Sequence, residues 1–247
     1  TAVTGTTQWT VDRAAGTAAQ TGTGRMGGCF ASPGMIPTAL TVAFMKAYIK
    51  SGTYTLSTAT PGSGGPFLFS AMLQCYIEGY GSTRGDLGTA PVMDAGAITS
   101  IVMWSNTSSN YRQVFVNIEL NGRDGAGNNG FNIAQERSHV IRCVAQNFEN
   151  TTSTYGFNAA GSVIKCGAIN CGRGFIGTST QTAFFQGCYA ISCSGVGFNV
   201  GSSGNGRADE CLAHGCGSHG FSGMIAKNCT SDGNGGSGFY EAYEYFT

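Results

Sequence analysis

A Gly-Phe pair recurs through the second half of the chain, at Gly130-Phe131, Gly156-Phe157, Gly174-Phe175, Gly197-Phe198, Gly220-Phe221 and Gly238-Phe239, with intervals of 26, 18, 23, 23 and 18 residues. A cysteine series keeps nearly the same step. Cys143, Cys166, Cys188, Cys211 and Cys229 lie 23, 22, 23 and 18 apart. Two residues after each comes a small residue, Ala145, Ala168, Ala190, Ala213 or Ser231, and five residues after each stand Phe148, Cys171, Cys193, Cys216 and Asn234. A fixed period of this kind is the signature of a solenoid, in which equivalent residues of successive units become spatial neighbours.

The unit is about 22 residues long, alternates with period two, is rich in glycine and shows no helical stripe, so it is too short for a helix pair and fits one coil of a parallel β-helix. Coils in such a solenoid lie about 4.8 Å apart. A charged column would set like charges at about that spacing, so small polar and apolar residues are preferred. The composition agrees: charged residues make up 11% of the chain, where roughly a quarter is usual, and glycine occupies 40 of 247 positions. With 41% apolar residues the chain can bury a continuous core. Thirteen basic and thirteen acidic residues leave no net charge, which disfavours nucleic acid and anionic membranes as partners. No apolar run reaches the roughly 18 residues of a membrane span. The N-terminus shows no signal-peptide pattern, so an expected compartment rests on indirect argument.

The first half predicts longer, less regular coils, extending to about residue 125. Lys46 to Lys50, Thr53 to Leu56, Ala71 to Glu78, Ile98 to Trp104 and Gln113 to Leu120 read as strands between Gly-, Ser- and Asn-rich turns. Pro37 to Met45 reads as one short helix covering the open edge of the first coil. Residues 1–30 read as an extended arm with a β-prone stretch, Thr6 to Val11, leaving residues 31–247 for the solenoid.

Three segments, Ala31-Ser32-Pro33-Gly34, Ile49-Lys50-Ser51-Gly52-Thr53-Tyr54-Thr55-Leu56 and Gly79-Tyr80-Gly81-Ser82-Thr83-Arg84-Gly85-Asp86-Leu87-Gly88-Thr89-Ala90-Pro91-Val92, resemble right-handed parallel β-helix proteins of the pectin-lyase-like superfamily from bacteria and phages. The resemblance spans about residues 24 to 240. It implies the fold and is nearly silent on activity, because that superfamily holds lyases, hydrolases, tailspikes, adhesins and structural proteins. Its enzymes usually carry an acidic cluster with Arg or Lys on one outer face, and no matching motif transfers to this chain.

Candidate sites are few. A glycan-cleaving β-helix needs a carboxylate pair, or a Ca²⁺-binding acidic cluster beside a base. In the regular coils the adjacent acidic pair is Asp209-Glu210, with Arg207 nearby, and these are weak catalytic candidates. Arg142, Lys165, Gly187, Glu210 and Asn228, each preceding a column cysteine, read as one outer column, either a polar groove or a solvated face. Cys211, His214, Cys216 and His219 have metal-type spacing, but both cysteines fall in columns that hold cysteine in other coils, so no metal site is expected. The thiols read as small interior groups, while Cys166/Cys171, Cys188/Cys193 and Cys211/Cys216 are alternatively spaced for short disulfides; spacing leaves both open. Gly22, Gly24 and Gly27 match a dinucleotide fingerprint by letter without its strand-turn-helix context, so no cofactor is expected. Arg84-Gly85-Asp86 reads as part of a turn.

The C-terminal Phe239-Tyr240-Glu241-Ala242-Tyr243-Glu244-Tyr245-Phe246 is dense in aromatics, which favours either a local cap or a contact surface. The leading expectation is therefore a non-enzymatic structural or surface protein, extracellular or on a virion, that forms homo-oligomers end to end through Thr6, Trp9, Val11, Phe239, Tyr240, Tyr243, Tyr245 and Phe246. The alternative is a tailspike-like β-helix that binds or cleaves glycans.

Overall fold

The computed structural model describes residues 45–245, apart from 57–66, 69–73, 100–101, 107–111, 125–126, 134–136, 149–150, 152, 178–181, 202–205 and 242. The expected arm, with Thr6, Trp9 and Val11, lies outside the described residues, as does Phe246. So does the expected helix except for its last residue, Met45, which instead opens the first strand, Met45–Lys50. Every strand pairing is parallel, in three sheets of nine, eight and eight strands, and each strand bonds to the one three elements later. The chain therefore winds repeatedly through the same three faces as a right-handed β-helix. Sheet A runs from Met45–Lys50 to Tyr243–Tyr245, sheet B from Thr53–Thr55 to Thr230–Asp232, and sheet C from Phe67–Leu68 to Phe239–Tyr240.

The sequence repeats coincide with the registers. Ala145, Ala168, Ala190, Ala213 and Ser231 stack inside sheet B. Phe131, Phe157, Phe175, Phe198, Phe221 and Phe239 stack inside sheet C. Their ring centroids are 5.0, 4.8, 4.7, 4.9 and 5.2 Å apart and the planes lie within 10° of parallel, so strand spacing itself sets an offset aromatic stack. The glycine before each phenylalanine faces the alanine column across a narrow interior. A Cβ on Gly174 would sit 2.5 Å from the Gly197 carbonyl oxygen and 2.8 Å from the Ala190 methyl. Gly-Phe and Cys-x-Ala thus repeat together because they fit each other.

A single residue turns the chain from sheet A to sheet B in each coil. Asn117, Arg142, Lys165, Gly187, Glu210 and Asn228 occupy this bend, all left-handed with φ between 51° and 59°. For a non-glycine residue this conformation costs roughly 1–2 kcal/mol. Coil-to-coil hydrogen bonding continues through it and offsets the cost: Arg142, Lys165, Gly187 and Glu210 each donate their N–H to the next coil at 2.8–3.0 Å. The column expected as a possible groove is therefore a ridge between two sheets. The same bend splits the expected strand Gln113 to Leu120 into Arg112–Val116 and Glu119–Asn121. A second left-handed column, Asn147, Asn170, Ser192, Gly215 and Gly233, closes sheet B. Part of it is an amide ladder in which Asn170 donates to Asn147 and Asn147 to Asn121, both at 3.2 Å.

All nine described cysteines are free and buried, which overturns the disulfide alternative. Cys166 and Cys171 belong to different interior columns, as do Cys188 and Cys193, and Cys211 and Cys216. The thiols act as small donors at the bend. Cys188 Sγ, for example, lies 3.2 Å from the Val163 carbonyl of the preceding coil and 3.4 Å from that of Gln186.

Candidate functional site

Parallel pairing aligns the outward residues of sheet A into two rows. One begins Lys46, Tyr76, Val114 and His139, and reaches Phe184, Arg207 and Ile225. The other begins Tyr48, Glu78, Val116 and Ile141, and reaches Gln186, Asp209 and Lys227. Charged and aromatic groups gather at both ends of the face, separated by Val114, Val116, Ile141 and Ile164 with His139 and Ser162 among them.

The N-terminal end holds the denser cluster. Lys46 Nζ lies 5.5 Å from the centroid of the Tyr76 ring, and the Arg84 guanidinium lies 5.4 Å from that of Tyr48. The two rings are 6.5 Å apart. Cations over aromatic faces are held by the ring quadrupole while they remain solvated. Arg84 reaches Tyr48 because a rigid turn carries it there. The Asp86 carboxylate accepts the backbone N–H of Gly81, Ser82, Thr83 and Gly88 at 2.7–2.9 Å, which holds its pKa far below the usual carboxylate range. Glu78 accepts the Gly85 N–H at 2.9 Å and ties the same turn to the sheet. As expected, Arg84-Gly85-Asp86 is a turn, and its carboxylate is turned inward on its own backbone.

Glu78 also accepts the Tyr76 hydroxyl at 2.5 Å. Burial, then this bond and the Glu78 charge, raise the Tyr76 pKa, so the phenol stays protonated at neutral pH and is a poor base.

The weak catalytic candidates lie at the other end of the face. Arg207 Nη2 is 3.3 Å from Asp209 Oδ2, and Lys227 neighbours Asp209 on the next strand. Glu210 is carried round the left-handed bend, so the structure brings Arg207 and Asp209 together and separates Glu210 from them. Other carboxylates are already engaged: Asp94 with Arg123 Nε at 2.7 Å, Glu119 with Gln146 Nε2 at 2.5 Å, and Asp232 with His214 Nδ1 at 3.0 Å. No described strand of sheet C carries a carboxylate. Among the described residues no group of three or more His, Cys, Asp or Glu side chains is placed to hold a metal ion. Cys211 and Cys216 are buried while His214 is exposed, so the C-x2-H-x-C-x2-H spacing does not converge on one point.

Charge is sorted between faces although the chain is neutral. Sheet A and its bend bear Lys46, Lys50, Arg112, Arg142, Lys165, Arg207 and Lys227 against Glu78, Asp209, Glu210 and Glu244. The strands of sheet B bear Asp94, Glu119 and Asp232. The Lys46, Tyr48, Tyr76, Glu78 and Arg84 cluster escaped sequence reasoning. Its signal was the alternation Lys-x-Tyr and Tyr-x-Glu in segments 30 residues apart, in the region where coil length is irregular.

At the far end of the solenoid, Phe239 is half-buried on the phenylalanine stack and Tyr240 is 43% exposed, its ring 4.4 Å from His219. Tyr243 and Tyr245 align with Ile225 and Lys227 on the last strand of sheet A.

No family model and no curated protein matches this chain. Among solved structures, pectate lyase Pel9A superposes with a TM-score of 0.50 at 15% identity, covering 74% of this chain and 61% of that one. The chain thus spans about three fifths of that structure's length. A rhamnogalacturonan lyase superposes at a TM-score of 0.39 with 12% identity, covering 77% of this chain and 68% of that one. The likeness to the pectate lyase shows the fold, a parallel β-helix.

Proposed function

We propose that this chain is a glycan-binding β-helix that takes an acidic polysaccharide along the outer face of sheet A. The observation that carries the reading is the pairing of cations with aromatic rings at Lys46/Tyr76 and Arg84/Tyr48, on a face where positive charge predominates. Rings offer apolar platforms for the faces of sugar rings, and the flanking ammonium and guanidinium groups attract carboxylates. Binding is favoured over cleavage because elimination or hydrolysis needs a free base or a poised carboxylate pair. Here the tyrosine is held protonated and the nearby carboxylates are tied into the fold. This reading takes the place of the fibre as the leading one.

The test is retention on gels containing polygalacturonate, alginate or hyaluronate, with dextran as the uncharged control. The intact chain is expected to be retarded by at least one acidic polymer in a salt-dependent manner, and Lys46→Ala with Arg84→Ala to weaken this about tenfold. Equal retardation by dextran, or none by any acidic polymer, overturns the reading. Appearance of unsaturated uronate ends would replace binding with lyase activity.

End-to-end association, in an extracellular or virion-surface setting, is the second reading. It is favoured by the exposed Tyr240 on Phe239–Tyr240, a strand that, among the described residues, pairs on one side only within sheet C.

A further inference from the structure

Sheet B carries a feature that the sheet A reading leaves unused. In its outward row, Glu119, Val144, Gly167, Tyr189 and Leu212 occupy successive coils. The Tyr189 ring does not stand up from the sheet. It lies along the solenoid axis over Gly167, where a Cβ would collide with the ring carbons and with the hydroxyl oxygen. Only glycine at 167 leaves room for the ring to lie down. The ring's underside is covered by backbone, while the residue remains half-buried with an outer side facing solvent. Its hydroxyl end lies over Gly167, on the side of the ring that faces the coil of Val144. Burial first, then Cys166, and after it Glu119, raise the tyrosine's pKa, so the hydroxyl remains a donor at neutral pH.

One coil beyond Val144 in the same row, Glu119 is held by a bond from Gln146 Nε2 at 2.5 Å. That bond uses one carboxylate oxygen and one amide hydrogen, leaving Glu119 Oε2 as an acceptor and the Gln146 amide with a further donor and an acceptor. Ile169 lies beside Gly167 in the adjacent outward row and completes an apolar floor.

We infer that Tyr189, Glu119 and Gln146 form a second saccharide subsite, which stacks an uncharged sugar ring on Tyr189 and hydrogen-bonds its neighbouring hydroxyls through the Glu119–Gln146 pair. A flat ring with fixed polar groups at one end matches a sugar's apolar face and hydroxyl rim. The Glu119 charge selects against uronates, the opposite of the sheet A face. The site does not depend on the sheet A reading.

The experiment is saturation-transfer NMR and isothermal titration of the full chain with xylohexaose, cellohexaose and maltohexaose, beside trigalacturonate. Binding of at least one neutral hexasaccharide is expected. Tyr189→Ala should weaken it at least tenfold, Tyr189→Phe several-fold, and Lys46→Ala or Arg84→Ala not at all. Circular dichroism and thermal midpoint check that each variant is folded, and Tyr189→Phe keeps the ring should Tyr189→Ala fail to fold. Failure of all three neutral sugars, or binding indifferent to both Tyr189 variants, overturns the inference. Loss of trigalacturonate binding alone in the Lys46 and Arg84 variants speaks only to sheet A.

Discussion

Replacing Phe175 by alanine tests whether the phenylalanine stack is the structural spine of the regular coils. Phe175 is fully buried. It stacks between Phe157 and Phe198 at 4.8 and 4.7 Å, and meets the edge of Phe185 at 5.6 Å. Truncating such a side chain costs about 3–5 kcal/mol, a transfer loss plus a cavity that close-packed coils cannot collapse to fill. For a domain of this size, each kcal/mol lowers the midpoint by about 2–4 °C, so Phe175→Ala should lower it by roughly 6–20 °C. Phe239, half-buried with one stacking neighbour at 5.2 Å, should lose less than half as much.

Phe175→Leu separates the two contributions. Leucine keeps most of the apolar volume and loses the ring contacts, each worth about 0.5–1.5 kcal/mol beyond area burial. If burial dominates, leucine recovers most of the alanine loss; if stacking dominates, it recovers little. Differential scanning calorimetry and urea denaturation on all three variants supply the comparison. A Phe175→Ala midpoint no lower than that of Phe239→Ala would refute the stack as the spine.

Two further outcomes are expected. Because the Asp86 carboxyl titrates below its unfolded value of about 3.9, its contribution to the turn is present above that value and is lost only as pH falls through the depressed folded one. The amides of Ser82 and Thr83 should therefore keep their chemical shifts in NMR titration down to about pH 3, and Asp86→Asn, which removes the carboxylate they bond, should displace both shifts at every pH; movement of these shifts near pH 4 in the wild type would contradict the clamp. Burial pushes the Cys75 thiol up to about 12, and thiol–thiol contact with Cys171 leads the same rise for Cys193. Folded protein at pH 8 should thus leave these two unalkylated by iodoacetamide for hours, whereas urea-unfolded protein reacts within minutes, as peptide mass spectrometry will show.

What was legible in the residues, and what was not, follows from how a solenoid encodes itself. Interior columns repeat because stacked coils share one cross-section, so Cys143 to Cys229 and Phe131 to Phe239 announced their registers, which the strand pairings reproduce. The left-handed bend was hidden because three of its six occupants, Arg142, Lys165 and Glu210, are not residues that favour that conformation; the hydrogen bonds that hold them there come from the next coil. The disulfide question was open for a related reason, since five-residue spacing places two cysteines in one coil without saying that a second bend turns them into separate columns. Candidate sites were harder still. Outward residues follow no such repeat, and the union of Lys46 and Tyr48 with Tyr76, Glu78 and Arg84 depends on the 30-residue register of the first two strands of sheet A and on the Asp86 turn that places Arg84. Tyr189 is the sharper case. Its row is visible from the cysteine period, but a tyrosine following a glycine one coil earlier reads as an ordinary surface pair until the space above Gly167 is seen to be filled by the ring. In this fold the repeated letters specify the core, and function has to be sought where the repetition lapses, at a glycine in a row of larger side chains or at a coil whose length departs from its neighbours.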